Sequence, residues 1–367
     1  MIASFLTENL QKKLSFLNHA VSNNSQLEIL SCFLIKAEKG RLVLKATDLE
    51  IGIATSIPAS IEREGEVAVP AKTFLDLITN ITEEKITIET VDKSLVVKGK
   101  KIKMVFQTMS SEEFPKLYED KGKEEAVLKR ETIEKELGKI VFSASQDTTR
   151  PALSGVLIKK ERGAVEVVAT DGYRLSLKRS TLINTKGVIK DLLLSARAIR
   201  EVMSIKYDGD VSLFVSEKSN QAIFEIGETT LVGRLIEAEY PTYEKIIPAK
   251  FETKTEFDKD EMQKAVKLCS VFARETANII KLSVKKDKIV VSANTPSVGE
   301  NTVEIDSKTT GEENEIAFNA RYLLDLFANI EEEIMSFEMV GPLNPGVFKI
   351  AGDNSFLHLI MPIRMQG

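Results

Sequence analysis

The sequence predicts an α+β protein in which one domain of about 120 residues occurs three times, each copy two helices packed on antiparallel sheet. One observation is a recurring motif: Leu44-Lys45-Ala46-Thr47-Asp48-Leu49, then Val167-Val168-Ala169-Thr170-Asp171-Gly172, then Val290-Val291-Ser292-Ala293-Asn294-Thr295. Its alanines stand 123 and 124 residues apart, a third of the 367-residue chain. A second marker keeps step, from Val69-Pro70-Ala71-Lys72-Thr73-Phe74-Leu75-Asp76 through Leu194-Ser195-Ala196-Arg197-Ala198-Ile199-Arg200-Glu201 to Phe318-Asn319-Ala320-Arg321-Tyr322-Leu323-Leu324-Asp325. Solenoid units run about 20–50 residues, whereas units of this length bury a core of their own. The domains are expected at 1–121, 125–248 and 250–367, with linkers at Glu119–Glu125 and Ile247–Lys250.

Each unit opens on an amphipathic helix. Leu10, Leu14, Leu17 and Val21 recur at the spacing of one helical face, as do Ile133, Leu137, Ile140 and Ala144, and again Met262, Val266, Cys269 and Ala273. Thr132 and Asp258 stand where a helix cap is wanted. Short apolar or alternating runs follow, such as Leu42–Leu44, Val165–Val168 and Ile289–Val291. Lys39-Gly40, Arg162-Gly163 and Lys286-Asp287 supply the hairpin turns. A second helix is expected at about 71–80, 196–205 and 320–329, and two further strands close each unit.

Composition bounds the function. A 43% hydrophobic, 29% charged chain is ordinary for a globular protein, and no window approaches 18 consecutive apolar residues. Met1–Leu6 lacks the basic and apolar pattern of a signal peptide, so a cytoplasmic protein without a membrane span is expected. Cys32 and Cys269 are flanked by apolar residues and read as buried thiols. A net charge of −5 is not that of a generally basic nucleic-acid binder.

Catalytic motifs are missing. The chain has no Gly-x4-Gly-Lys-Ser/Thr, no Gly-x-Ser-x-Gly, no His-Glu-x-x-His and no Cys-x-x-Cys. His19 and His358 are its two histidines and give an acid/base or metal site little material. Asp48 and Asp171 are the most enzyme-like pair. Their equivalent places in successive repeats, with Gly172 after Asp171, favour a turn role over catalysis. No catalytic residue, metal or cofactor is expected.

Three short motifs carry a resemblance: Ala169-Thr170-Asp171-Gly172-Tyr173-Arg174-Leu175, Tyr240-Pro241-Thr242-Tyr243-x-x-Ile246-Ile247-Pro248, and Leu359-Ile360-Met361-Pro362-Ile363-Arg364. In this order and spacing the chain resembles the bacterial DNA polymerase III beta subunits, the replicative sliding clamps. The resemblance implies three clamp domains per chain and a head-to-tail homodimer of six domains closed around duplex DNA, bound without sequence preference. It implies a processivity factor rather than an enzyme. The implied partners are the polymerase III alpha subunit, other polymerases and the clamp loader delta subunit.

By family position, a partner-peptide groove falls on Leu153, Thr170, Gly172, Tyr173, Arg174, Leu175, Pro241, Ile246, Tyr322, Leu359, Met361, Pro362, Ile363 and Arg364. Aliphatic and thioether walls suit an apolar peptide, with Arg174 and Arg364 to hold polar groups. On residue type alone Leu153, Leu175, Ile246 and Leu359 read equally as core. The dimer interface falls on Met104 against Val271 and Phe272.

The residues add one independent point. Lys12, Lys135 and Lys264 align in the first helix of each repeat, and Lys72, Arg197 and Arg321 in the second. With 50 basic residues in 367, a wholly basic column arises by chance about 0.3 times in about 120 columns. Two such columns fit helices that face DNA. The same alignment suits an ordinary solvated face, and a three-domain adaptor that never encloses DNA, or a hydrolase using Asp48 or Asp171, are the competing readings. Two departures stand out. Asn24-Ser25-Gln26-Leu27-Glu28-Ile29-Leu30 replaces the Thr-x-Pro-Ile-Leu segment of many relatives, and Met365-Gln366-Gly367 extends past the arginine near which they end.

Overall fold

The computed structural model describes residues 1–22, 25–161, 164–183, 191–275, 277–295 and 299–364. The Arg162-Gly163 turn, Asn24 and the Met365–Gly367 extension lie outside the described residues. The described chain forms two compact units. One comprises residues 1–130 and 197–235; the other comprises residues 131–183, 191–196 and 236–364. The second repeat therefore contributes to both.

In the first unit, Thr7–Leu17 and Ala71–Thr79 are the paired helices of the first repeat. Leu10, Leu14 and Leu17 of one and Phe74 and Ile78 of the other are completely buried, as the apolar spacing requires. The Gln11 amide ties the pair by donating to the Ile78 and Ile81 carbonyls, both at 2.9 Å. Five strands lie in one sheet, with Lys103–Gln107 at its edge. Eight more form a sheet that runs from repeat to repeat: Thr229–Arg234 pairs antiparallel with Ile51–Pro58, placing Leu231 opposite Ile53.

In the second unit a twelve-stranded sheet makes the same kind of junction. Arg174–Ser180 pairs antiparallel with Asp353–Ile360, and Leu175 lies opposite Leu359. Helices Lys259–Ala273 and Ala320–Ala328 belong to the third repeat, and between them and the sheet sits a phenylalanine core. Phe337 stacks on Phe348 at 4.6 Å between ring centroids and meets Phe318 edge-on. Each such fully buried ring contributes about 2–3 kcal/mol of transfer free energy.

One local expectation holds and three change. Asp258 caps its helix, its Oδ1 accepting from the Glu261 N–H at 2.9 Å. Thr132 does not: the helix begins at Arg130, so Thr132 is already helical and makes no side-chain cap. Its next turn, Ile133–Leu137, is π-helical before α-geometry resumes at Gly138–Val141. Ile133, Leu137 and Ile140 are nonetheless all buried, because the widened turn keeps them on the core face. The first linker is shorter than its charge run, because Lys123–Lys129 is a strand paired with Asp210–Ser216. Among the described residues no helix is long and apolar enough to cross a membrane.

Candidate functional site

The Thr170–Arg174 turn organises the second unit's surface. The Thr170 hydroxyl donates to the Arg174 carbonyl at 2.6 Å and accepts from the Gly172 N–H at 3.0 Å. Asp171 Oδ1 accepts from the Tyr173 and Arg174 N–H groups at 2.9 and 3.0 Å. Gly172 has φ +91°, a conformation a side chain would strain. Asp171 is thus a turn residue first, as its place in the repeat predicts.

Arg174 is expected to hold polar groups of a ligand, and its guanidinium already makes three bonds within the chain. Nε donates to Asp171 Oδ2 at 3.0 Å, Nη1 to Asp325 Oδ2 at 2.6 Å, and Nη2 to the Phe142 carbonyl at 3.0 Å. The cation also lies 4.9 Å from the Tyr322 ring centre. Tyr322 in turn stacks on Tyr173 at 6.5 Å. Burial, with the carboxylates of Asp171 and Asp325 nearby, raises the Tyr322 hydroxyl above its ordinary pKa against the opposing pull of Arg174. Arg174 therefore holds the aromatic pair while three of its five N–H groups are bonded within the chain.

The C-terminal segment joins this surface. The Met361 N–H donates to the Tyr173 carbonyl and the Ile363 N–H to the Ala317 carbonyl, both at 2.8 Å. Tyr173 (60% exposed), Ile246 (43%) and Met361 (37%) present apolar surface, with Pro241 and Arg364 also exposed and Pro362 and Ile363 half-buried. Leu175 and Leu359 show no surface at all, and Leu153 and Thr170 almost none. The two leucines form the floor beneath the site.

Beneath that floor, His358 Nδ1 and the Ser176 hydroxyl share a hydrogen bond of 2.7 Å, and Ser176 and Ser143 share another of 2.7 Å. Complete burial, with the Arg174 charge nearby, pushes the His358 imidazole down to about 3. The histidine is a neutral core group. Phe142, Ser143, Ser176 and Asp325 were not legible as parts of the site. Asp325 left one signal: it continues an acidic column through Asp76 and Glu201 in the repeat marker.

The basic columns divide. Lys12, Lys72, Lys135, Lys264 and Arg321 are exposed on their helices, Lys12 in an i, i+4 pair with Glu8. Arg197 is the exception, half-buried and ion-paired. It bonds Asp48 Oδ2 at 2.6 Å, Glu50 Oε2 at 2.7 Å and the His19 carbonyl at 2.9 Å, so it serves packing in the first unit. At the expected subunit contact, Met104 and Phe272 are half-buried and Val271 is exposed. Among the described residues no group of three or more metal-ligating side chains gathers.

Family models for the DNA polymerase III beta subunit match the chain in series: the N-terminal domain over residues 1–118, the central domain over 127–242 and the C-terminal domain over 244–364. The chain belongs to this family. Its membership makes it a non-catalytic sliding-clamp subunit of DNA polymerase III built from three clamp domains. It is 27% identical to the beta sliding clamp of Staphylococcus aureus over 357 residues, 94% of each protein. The DNA polymerase sliding clamp of Bacillus subtilis superposes with a TM-score of 0.94 at 23% identity, covering 100% of both chains. A putative DNA polymerase III beta subunit from Eubacterium rectale gives 0.91 at 26% identity, again over 100% of both.

Proposed function

We propose that two copies of the chain close head-to-tail into a ring around duplex DNA, and that the Tyr173–Tyr322–Met361 surface tethers polymerases and the clamp loader delta subunit by a short apolar peptide. The observation that carries the tether is the exposed aromatic and thioether surface over a buried leucine floor, in the positions where the family motifs stand. Such a surface suits an extended peptide, which gains apolar contact without ordering a new fold. Two features support the closed dimer. The strand Lys103–Gln107 is a sheet edge with Val105 exposed, and helix Lys259–Ala273 exposes Leu268 and Val271. A heterologous contact between such patches closes with two copies. Lys12, Lys72, Lys135, Lys264 and Arg321 attract phosphates but read no base edge, so binding is indifferent to sequence and weakens with salt.

The test of the ring is retention on nicked circular DNA after loading, at moderate salt. Clamp lost only after the circle is cut has slid off an end, whereas equal loss from both forms rules out encirclement. Phe272→Asp places an unpaired charge in the subunit contact and is expected to give monomers by light scattering. A Gln-Leu-x-Leu-Phe peptide is expected to bind with micromolar-order affinity, and Met361→Ala or Tyr173→Ala to weaken it by about 1–3 kcal/mol in calorimetry. Unchanged affinity in both variants removes the groove.

A further inference from the structure

We infer that the concavity beside Pro241 is a second subsite for partner segments, one that takes a lysine or arginine flanking the apolar motif; this rests on the reading of the Tyr173–Met361 surface as a peptide groove. The concavity holds about 390 Å³. Its aliphatic floor is Leu157, Leu193 and Ile236. These residues pack in the same apolar cluster as Leu175 and Leu359, the floor of the proposed groove. One apolar cluster therefore underlies both the proposed groove and the concavity beside Pro241.

The rim has a charge of its own. Asp191, Glu239 and Glu244 line it, and Lys159 is the one cation among the lining residues described. Lys159 lies 3.6 Å from Glu244, and among the described lining residues the carboxylates outnumber the cations by two. An alkyl stem on an aliphatic floor with a cationic head among carboxylates is the arrangement long basic side chains adopt. An acidic flank would meet like charge and be rejected.

The wall of the concavity is preformed. Tyr243 is buried and its hydroxyl donates to Glu166, a carboxylate only 2% exposed that Arg179 also bonds at 2.8 Å. Tyr240 packs edge-on against Tyr243 at 6.2 Å, and its hydroxyl bonds the Val168 carbonyl at 3.4 Å. The loop carrying Pro241 is thus held in place before any ligand arrives, which lowers the ordering cost of binding.

The experiment reads the concavity directly. Ala238 is exposed on its rim, so Ala238→Cys carries an environment-sensitive dye in the full chain. Cys32 and Cys269 do not compete, because burial raises both thiols, Cys269 to about 11. The probes are the Gln-Leu-x-Leu-Phe core and the same core with two lysines added at either end. One lysine extension is expected to tighten binding about threefold at low salt and to change the dye emission. That gain should vanish in Glu239→Gln/Glu244→Gln while the core alone binds as before. A core that binds with neither gain nor dye response from either extension overturns the subsite and leaves the groove intact. A gain that survives the double substitution is long-range attraction to an acidic chain and overturns it equally. If the core fails to bind, the groove reading falls; a dye response to the lysine peptides would then uphold the subsite alone, and silence would remove both.

Discussion

The Thr-Asp turns of the first and second repeats are the same object put to different uses. Thr47 donates to the Ile51 carbonyl at 2.8 Å and accepts from the Leu49 N–H at 3.1 Å, while Asp48 Oδ1 takes the Glu50 and Ile51 N–H groups at 3.0 and 2.9 Å. Bond for bond, Thr170 and Asp171 do the same 123 positions on. The two turns part at the carboxylate's second oxygen. Asp48 spends it on Arg197 from the helix Ala196–Ser204, whereas Asp171 holds Arg174, the last residue of its own turn, which carries the Tyr322–Tyr173 stack. A structural turn comes to support an exposed aromatic pair when an arginine stands where the first repeat has Ile51.

Breaking the second turn should cost most. Asp171→Ala removes two N–H acceptors and one partner of a buried arginine, an expected loss of about 2–3 kcal/mol on denaturant unfolding together with weaker peptide binding. If stability falls but peptide affinity holds, the turn does not organise the groove.

Acid should separate the same two regions. His358, bonded to Ser176 two residues beyond Arg174, is held neutral down to about pH 3 when folded, while the unfolded imidazole binds a proton near 6.5. The unfolded chain therefore takes up more protons in this window, and stability present above pH 6.5 is lost as pH falls toward 3. The loss approaches about 1.4 kcal/mol per pH unit at most. His358→Asn should flatten the difference between pH 7 and 5 in paired unfolding curves. An identical slope would mean the imidazole is not the proton-linked group. The first unit's His19 is half-exposed beside Glu201 and lacks any such burial.

Two smaller changes sharpen the comparison. Asp48→Ala should cost about 1–2 kcal/mol through the lost turn bonds and the Arg197 pair, with peptide affinity unchanged. At the turn tips, Leu49 and Gly172 share positive φ, +73° and +91°. Leu49→Gly should relieve about 0.5–1 kcal/mol of strain, and Gly172→Ala should cost a similar amount. The nearest neighbour of the new methyl would be Leu153 Cδ1 at 3.9 Å, an ordinary contact, so backbone strain alone sets that cost. Equal melting temperatures for both variants and the parent would show that neither tip is strained.

These turns also mark what a sequence discloses. Local signals were plain: helix faces, Asp258 as a cap, and a Thr-Asp turn present in two of the three repeats, since each depends on neighbours a few residues away. The commitments of Arg174 and Arg197 were hidden, because their acceptors come from other elements, Asp325 and Phe142 for one, Asp48, Glu50 and the His19 carbonyl for the other. Aligned as basic columns, Arg197 and Arg321 look alike; only the folded chain distinguishes a packed guanidinium from an exposed one. The leucines of the groove motif were ambiguous for a related reason, because apolar character does not say which side of a sheet faces water.

The junction of Arg174–Ser180 with Asp353–Ile360 has a consequence for synthesis. Ser176 and His358, bonded at that seam, are 182 residues apart in the chain. Pairing over so long a separation is slow to close and comes late in folding. A nascent chain halted before Asp353 would already hold the first unit's sheets, yet it would have no seat for Tyr173 to share with Met361. The surface that Tyr173 shares with Met361 is therefore complete only on chains whose translation has passed the C-terminal strand.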